Sequence, residues 1–181
     1  NYTNKMKLIL ITLFGLFFIF FFKIVFVIST SSVISITQGA LFTRTSFAKI
    51  KRILEYINLK PGQIVYDIGC GDGRFLRAVV KKYKVKAIGY EINPWAYFLA
   101  KIYCLAYPEI KIYFANFWRK NLSDADLVFC YLFPDVMKKL RKKLEVELKP
   151  DTWVVSCNFP VPGWEPKKVI YEGDPIYIYR I

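Results

Sequence analysis

The hydrophobic residues of this 181-residue chain follow two distinct patterns, and the first is a single long apolar run. The run extends over Leu8–Ile28 and is interrupted only by Thr12, Gly15 and Lys23. As a helix it would be about 31 Å long, which is enough to cross the hydrocarbon core of a bilayer. A cleaved signal peptide is the alternative, but the run is too long for one and no small-residue cleavage site follows it. The pattern therefore predicts a transmembrane anchor at residues 1–29.

The second pattern begins after a connector of mixed polarity at residues 30–45, and it alternates short apolar strands with amphipathic helices. Strands are predicted at 63–68, 86–90, 110–114, 127–131, 152–158, 168–171 and 176–180, and helices at 46–58, 74–83, 94–107 and 135–148, with Ser46, Asn93 and Asp135 as N-caps. Such alternation predicts an α/β domain at 46–181, with helices on both faces of a mostly parallel sheet. The last two strands are separated by too few residues for a crossover, so we expect an antiparallel hairpin there.

Charge adds information about the surroundings of this domain. The chain has 27 Lys and Arg and 14 Asp and Glu; because three of the basic residues lie before or within the apolar run, the remainder has a net charge of +10. A basic domain beside a membrane favours an anionic lipid surface as a partner. Nucleic acid is the rival partner, but no nucleic-acid-binding motif accompanies the charge, so no nucleic acid is expected.

Histidine is absent from the chain, which excludes Ser-His-Asp and Cys-His catalysis and zinc sites with His ligands. The four cysteines are scattered and form no CxxC pair, so neither a metal site nor a thioredoxin-like pair is predicted. Cys70, Cys104, Cys130 and Cys157 are therefore expected to be reduced residues of the core.

The strongest motif is the segment Asp67–Gly73, with the sequence Asp-Ile-Gly-Cys-Gly-Asp-Gly, which follows a predicted strand and opens a helix. Backbone amides at a helix start attract negative charge, and glycines let a ligand approach the backbone. Arg74 stands where a dinucleotide-binding motif needs its third glycine, and Asp67 disfavours a pyrophosphate and favours an amino-bearing ligand. Glu91 ends the next strand, where a carboxylate accepts ribose hydroxyls. An ordinary tight turn beside a surface Glu is the alternative.

With these features the domain resembles the class I S-adenosylmethionine-dependent methyltransferases, from about Gly39 to the C-terminus. Within them it is most similar to the membrane-anchored protein-lysine methyltransferases of the ATP synthase c subunit and the adenine nucleotide translocase. Four segments carry this likeness, at 89–95, 116–118 (Asn-Phe-Trp), 143–148 and 158–164 (Asn-Phe-Pro-Val-Pro-Gly-Trp). The resemblance implies a Rossmann-like sheet of seven strands, mostly parallel with an antiparallel C-terminal hairpin, after one N-terminal transmembrane helix.

The resemblance also implies where the ligands bind. The residues expected at S-adenosylmethionine are Thr45, Asp67, Gly69, Cys70, Gly71, Gly73, Glu91, Asn116 and Phe117. Those expected to position the substrate amine are Tyr131, Phe133 and Pro134, while Phe159 and Trp164 would wall a substrate channel. Ordinary packing remains the alternative for Tyr131, Phe133 and Trp164. Two departures from the family are the missing prolines before Thr45 and the presence of Asn116 in place of an acid.

Finally, the resemblance implies transfer of a methyl group from S-adenosylmethionine to a lysine side chain of a protein, and the anchor implies that this protein lies in a membrane. No metal is expected. A methyltransferase for a membrane small molecule, such as a quinone or lipid, and a non-catalytic tethered binding domain are the alternatives. The chain is expected to cross the membrane once, with its catalytic domain on the cytoplasmic or organellar matrix side, because more basic residues follow the run than precede it.

Overall fold

The computed structural model describes residues 2–37 and 44–181, and in the first of these ranges it describes the side chains of residues 5–26. Helix α1 spans Tyr2–Thr37, and its segment Lys5–Phe26 has a mean hydropathy of 2.7 with none of it buried. Within the described residues this is the one helix that is long and apolar enough to cross a membrane. A helix that is apolar on all sides and lies outside the core is typical of a membrane span.

Helix α1 extends eight residues into the range predicted as the connector, since it ends at Thr37. Between Gly15 and Thr37 the sequence has neither glycine nor proline, so no helix-breaking residue stands near residue 29. Residues 38–43, which hold the rest of the connector and the start of the family likeness, lie outside the described part of the chain. The boundaries of anchor, connector and domain therefore stay predictions.

The remaining elements alternate along the chain as the sequence pattern predicted. The helices are α2 (Phe47–Tyr56), α3 (Arg74–Tyr83), α4 (Pro94–Tyr103) and α5 (Pro134–Glu147). The strands are β1 (Ile64–Ile68), β2 (Lys86–Glu91), β3 (Ile110–Phe114), β4 (Leu127–Cys130), β5 (Trp153–Cys157), β6 (Lys168–Glu172) and β7 (Asp174–Arg180). A short 3-10 turn at Phe117–Arg119, capped by the Asn116 side chain, was not predicted.

The strands form one sheet in the order β3-β2-β1-β4-β5-β7-β6. β1 to β5 are parallel, and β7 runs antiparallel to both β5 and β6, which confirms the predicted C-terminal hairpin. After β1 the chain proceeds outward to β2 and β3, and it then returns to place β4 on the other side of β1. The loops that leave β1 and β4 therefore diverge, and such a switch point opens a crevice at the carboxyl ends of the strands.

Helices cover both faces of the sheet and divide the core into two clusters. Helices α2, α3 and α4 pack on one face, where the ring of Phe75 stacks on that of Phe129 with their centres 4.0 Å apart. Helix α5 packs on the other face through Met137, Leu140 and Leu144. The four cysteines are free and buried, as predicted. The sheet is thus a rigid support for the loops at its carboxyl edge.

Of the predicted N-caps, the structure confirms Ser46 and contradicts Asp135. The Ser46 hydroxyl accepts a hydrogen bond from the Lys49 amide at 3.2 Å, which confirms it as the N-cap of α2. The prediction for Asp135 is wrong, because α5 begins one residue earlier with Pro134 at its first position and Phe133 as an N-cap without a side-chain hydrogen bond. Proline suits a first position because its missing N–H has no partner there. Asp135 lies instead in the first turn of α5, where its negative charge interacts favourably with the helix dipole.

Candidate functional site

The glycine loop between β1 and α3 contains three glycines with positive φ angles, a backbone conformation that other residues rarely adopt. Gly69, Gly71 and Gly73 have φ angles of 105°, 55° and 73°. The amides of Gly69 and Cys70 both donate to the carbonyl of Tyr90, at 2.9 and 3.0 Å, which fastens the loop to the end of β2. A Cβ atom on Gly73 would lie 2.7 Å from the Cys104 sulfur, so this glycine lets α3 pack against the end of α4. The loop therefore presents open backbone at the crevice.

Asp67, at the end of β1, has a buried oxygen without a partner. The residue is 2% exposed, and among the described residues its Oδ1 atom finds no hydrogen-bond donor. Burial, together with the negative charges of Glu91 and Asp72, raises the pKa of its carboxyl well above the usual range. An unpaired buried polar atom costs about 1–3 kcal/mol, so this oxygen provides a site for a ligand that donates a hydrogen bond.

Glu91, at the end of β2, is held by three backbone amides. Its Oε2 atom accepts from Gly71 at 2.8 Å, and its Oε1 atom accepts from Ile92 and Asn93, each at 2.8 Å. Burial raises the pKa of this carboxyl, although the same three hydrogen bonds oppose the shift. A carboxylate has about four acceptor positions, so Oε2 keeps the capacity to accept one more hydrogen bond from a ligand hydroxyl.

Arg74 joins the glycine loop to the segment that precedes α2. Its guanidinium binds the buried Asp72 carboxylate, with Nη2 2.8 Å from Oδ2 and Nε 3.0 Å from Oδ1. Burial alone would raise the pKa of Asp72, but the hydrogen bonds and charge of Arg74 outweigh it and lower that pKa. Arg74 also donates to the Thr45 carbonyl at 3.1 Å and lies over the Phe47 ring. No local pattern in the sequence indicated this bridge, because its two ends are 29 residues apart.

One cleft gathers most of the residues predicted to bind the cofactor. It is lined by Thr45, Asp67, Gly69, Cys70, Gly71, Glu91, Asn116 and Phe117, and also by Tyr131, which was predicted to position the substrate amine. Gly73 is the predicted cofactor residue that does not line it. Asp72, which belongs to the predicted glycine motif, also lines the cleft. So do residues that the sequence analysis did not assign to the site, namely Arg44, Arg74, Phe75, Tyr90, Ile92, Ala115, Trp118, Phe129 and Leu132. Several of these follow directly on predicted positions, and that proximity is the signal that could have found them.

Tyr131 marks the end of the cleft beside β4, next to a buried cation. The Lys49 ammonium lies 5.8 Å from the centre of the Tyr131 ring, and it donates to Asn158 Oδ1 at 3.0 Å and to Asp174 Oδ2 at 2.8 Å. Burial first, and then the charge of Asp174, raise the pKa of the Tyr131 hydroxyl. The cluster of Lys49, Asn158 and Asp174 was not predicted, because Lys49 lies within a predicted helix, Asn158 ends a predicted strand and Asp174 lies between the last two predicted strands.

Four predicted substrate residues do not line the cleft. Phe133 and Pro134 form the start of α5 just beyond it. Phe159 is partly buried against the α5 side of the core. The Trp164 ring packs edge-on against Tyr179 with their centres 5.5 Å apart, and its indole N–H donates to Glu145 at 3.1 Å. Their assignment to amine positioning and to a substrate channel stays a prediction.

A family model described as the ANTKMT methyltransferase domain matches residues 67–168, which is more than half of the chain. The chain belongs to this family. The match begins at Asp67 itself and includes the glycine loop, Glu91, Asn116 and Tyr131. It therefore covers the whole cleft apart from the segment that contains Thr45.

Two characterised relatives extend the comparison. A protein-lysine N-methyltransferase from Saccharolobus islandicus is 39% identical over 141 residues, which cover 73% of this chain and 88% of the relative. The human lysine N-methyltransferase of the ATP synthase c subunit is 34% identical over 142 residues, which cover 76% of this chain and 60% of the relative. The chain thus spans about 60% of the length of the human relative. The predicted resemblance to protein-lysine methyltransferases is confirmed.

A solved structure confirms the fold class and the kind of cofactor. The RNA methyltransferase of Salinibacter ruber, in complex with S-adenosyl-L-homocysteine, has a TM-score of 0.73 and 28% sequence identity to this chain. The alignment covers 77% of this chain and 94% of that one. The α/β methyltransferase fold and S-adenosylmethionine as cofactor, both predicted from the sequence, are therefore confirmed.

Proposed function

We propose that this chain transfers a methyl group from S-adenosylmethionine to the side-chain amine of a lysine in a membrane protein. The observation that carries the proposal is the cleft itself, which brings Asp67, the glycine loop and Glu91 together with Tyr131. The names of the two relatives support lysine as the acceptor. The human relative is named for a component of ATP synthase, which supports a membrane protein as the substrate.

The cleft suits the cofactor at each of its polar groups. The unpartnered Oδ1 atom of Asp67 would accept from the amino group, and the open acceptor position on Glu91 Oε2 would take a ribose hydroxyl. Asn116 and Phe117 would hold the adenine, because an amide both donates and accepts and a ring packs on a flat base. When bound, S-adenosylmethionine supplies a methyl group that its positive sulfur has already activated.

The chain's own task is to deliver a neutral amine in line with that methyl group. A lysine ammonium must first lose its proton, and burial among apolar side chains such as Phe129 and Leu132 favours the neutral amine. The Tyr131 hydroxyl and the carbonyls around it would orient the amine. Good alignment of two reactants provides about 7–11 kcal/mol of rate acceleration, so the absence of histidine is compatible with this reaction.

We also propose that α1 crosses the membrane once and that the domain lies on the cytoplasmic or organellar matrix side. The segment Lys5–Phe26 supports the span by its length, hydropathy and exposure. The side is supported by the supply of the cofactor, which is available in those compartments. Protease added to sealed cells or mitoplasts should spare the domain until the membrane is permeabilised. Digestion without permeabilisation would place the domain on the opposite side.

The reaction is tested by supplying membranes with the full chain and S-adenosylmethionine labelled in its methyl group. We expect the label in protein, with methyl-lysine identified by mass spectrometry. The Glu91→Ala variant serves as the control that binds less cofactor. Label confined to the lipid extract would favour the small-molecule alternative, and label in RNA would favour the activity named for the Salinibacter ruber enzyme. No label in any fraction would favour a binding domain without catalysis.

A further inference from the structure

Helix α4 places its small residues inward and its large apolar residues outward. Ala96 and Ala100 are completely buried against the sheet. Trp95, Phe98 and Ile102 remain 47%, 53% and 44% exposed. A surface helix normally directs its large apolar side chains at the core, so this arrangement is the reverse of the usual pattern.

The outward residues form one continuous stripe. Trp95, Phe98 and Ile102 follow one another at intervals of three and four residues, which is the spacing of a single helix face, and Leu105 lies in the turn that follows α4. The rings of Trp95 and Phe98 stack with their centres 6.0 Å apart. Phe114, on the edge strand β3, is also exposed, and it contacts Tyr97 of α4. We call this surface, made of Trp95, Phe98, Ile102, Leu105 and Phe114, the α4 face.

Basic residues accompany the α4 face. Lys101 lies on α4 beside the stripe and is exposed. Arg77 places its guanidinium 5.3 Å from the ring centre of Tyr103, at the end of the helix. Across residues 92–120 the sequence has four basic residues and one acidic residue. An apolar stripe of this size on a soluble surface marks an interaction site, and its positive border favours a negatively charged partner.

We propose that the α4 face docks on the surface of an anionic bilayer, with its aromatic rings at the level of the lipid headgroups. Aromatic side chains with basic neighbours are the combination that binds at this depth. Helix α1 contacts α4, so a bilayer that receives α1 also lies next to this face. The proposal rests on the membrane insertion of α1 and does not depend on the methylation reaction.

Docking through α4 has a consequence for the cleft. Helix α4 begins at Pro94, three residues after Glu91, so Trp95 lies near the carboxyl edge of the sheet where the cleft is located. A bilayer against the α4 face would therefore bring the cleft close to the headgroups. A lysine at that level of a membrane protein could then reach Tyr131 without leaving the lipid surface.

The tryptophans offer a direct test, because all four lie in residues 44–181 and none lies in α1. The full chain would be reconstituted in vesicles of phosphatidylcholine and phosphatidylglycerol whose acyl chains carry bromine, a quencher of tryptophan fluorescence. We expect quenching in the wild-type chain, and we expect Trp95→Phe to remove most of it. Trp153→Phe is the matched control, because Trp153 is buried and its indole N–H has no partner within the described residues. It should leave the quenching unchanged.

A second pair of variants tests the face without changing a fluorophore. Phe98→Gln combined with Ile102→Gln should lower the docked population about tenfold, because two large apolar groups are lost from the contact. Val146→Gln is the control, since Val146 is 84% exposed on α5, on the opposite face of the sheet. Vesicles without phosphatidylglycerol should also show less quenching. Resistance to carbonate extraction and unchanged cofactor affinity would confirm that each variant is inserted and folded.

Three results would overturn the proposal. The first is quenching that Trp95→Phe does not reduce, and the second is quenching that the double glutamine variant does not reduce. The third is a dimer in detergent that the double variant dissociates while bromolipids quench no tryptophan, which would assign the α4 face to a second copy of the chain. Since none of these measurements involves methyl transfer, failure here is distinguishable from failure of the proposed enzymatic function.

Discussion

The ammonium group of Lys49 lies 2.8 Å from a carboxylate oxygen of Asp174, across 125 positions of sequence. The Lys49 side chain is buried, whereas that of Asp174 is largely exposed. The same ammonium donates to Asn158, which follows β5 in a left-handed conformation with φ of 68°. This contact ties α2 to the carboxyl edge of the sheet, beside the residue expected to position the substrate amine.

Replacing Lys49 with methionine is expected to impair catalysis more than cofactor binding. Asn158 would lose its hydrogen-bond donor and Tyr131 its neighbouring cation, so kcat/KM should fall about tenfold or more, with nearly unchanged cofactor affinity by calorimetry. Lys51→Met is the matched control, because Lys51 lies on the same helix with its side chain 78% exposed. Equal rates for the two variants would show that the Lys49 cluster does not contribute to the reaction.

Glu91→Ala should weaken cofactor binding by about 1.5–3 kcal/mol, the range for hydrogen bonds to charged groups. The loss has two sources, because the side chain would no longer accept from a ribose hydroxyl and would no longer hold the Gly71 amide. Titration calorimetry with S-adenosylmethionine measures the change. Glu109→Ala, at an exposed position, should bind as the wild type does. An unchanged affinity in Glu91→Ala would refute the cofactor assignment.

Cofactor binding should release a proton from Asp67. Burial and neighbouring charges raise the pKa of this carboxyl, so in the free protein it stays protonated at pH values where an ordinary aspartate is ionised. The amino group of the bound cofactor, placed at Oδ1, stabilises the carboxylate form, so binding lowers the pKa of Asp67. The affinity for the cofactor should therefore rise with pH until the pH exceeds the raised pKa of the free protein. Calorimetry in buffers of different ionisation enthalpy counts the protons released.

The Asp67→Asn variant should release none of these protons. Asp72→Asn is the contrasting variant, because Arg74 lowers the pKa of Asp72 and this carboxyl is already ionised before the ligand binds. Asp72→Asn should therefore still release a proton on binding, reduced only by the part that the Asp72 charge contributes to the raised pKa of Asp67. If the wild type and Asp67→Asn release the same number of protons, the group that titrates on binding lies elsewhere.

Gly73→Ala should destabilise the fold more than Gly62→Ala. Both glycines have positive φ angles, of 73° and 82°, so the strain of a side chain on the backbone is similar. At Gly73 the new Cβ would also meet the Cys104 sulfur at 2.7 Å, whereas at Gly62 nothing lies within 4 Å. The difference in the free energy of unfolding, measured with urea, should be about 1–3 kcal/mol, as for overpacked cores. Equal losses would show that α3 and α4 can separate freely.

Removing residues 1–36 should lower the methylation of membrane substrates in intact vesicles and leave cofactor affinity unchanged. Confinement to the membrane raises the effective concentration of substrates there to about the millimolar range, without any new contact. The comparison is made between full-length and truncated chains, on vesicles and on the same substrate in detergent. In detergent the two chains should act equally. Equal rates of the two chains on vesicles would show that the anchor does not contribute to substrate selection.

The sequence predicted the order of elements well, because that order follows from local patterns. Strand β3 has the predicted limits, and the ends of most other strands differ by one or two residues. Glu91 was found for the same reason, since an acid at the end of a second strand is a position defined along the chain. Its three contacts with backbone amides were not predictable, because they depend on how closely the glycine loop approaches β2.

The substrate side of the cleft was less predictable, because long-range contacts determine it. Lys49 occupies a helix whose sequence indicates only an amphipathic stripe, and its burial depends on Asp174 at the distant start of β7. Trp164 illustrates a second case. Its motif resembles a segment of the family and implied a substrate channel, which stays a prediction, whereas the contacts of its ring with Tyr179 and of its N–H with Glu145 depend on the conformation of its loop and could not be predicted.

The short interval between α1 and the cleft has a consequence for the proposed membrane substrates. Thr37 ends the helix and Thr45 lines the cleft, so eight residue steps join them. Fully extended, eight steps cover no more than about 28 Å. If α1 spans the membrane as proposed, this length sets an upper limit on how far the cleft can lie from the membrane end of the helix. The chain would then favour a lysine in a short loop between two membrane helices over a lysine at the top of a large extramembrane domain.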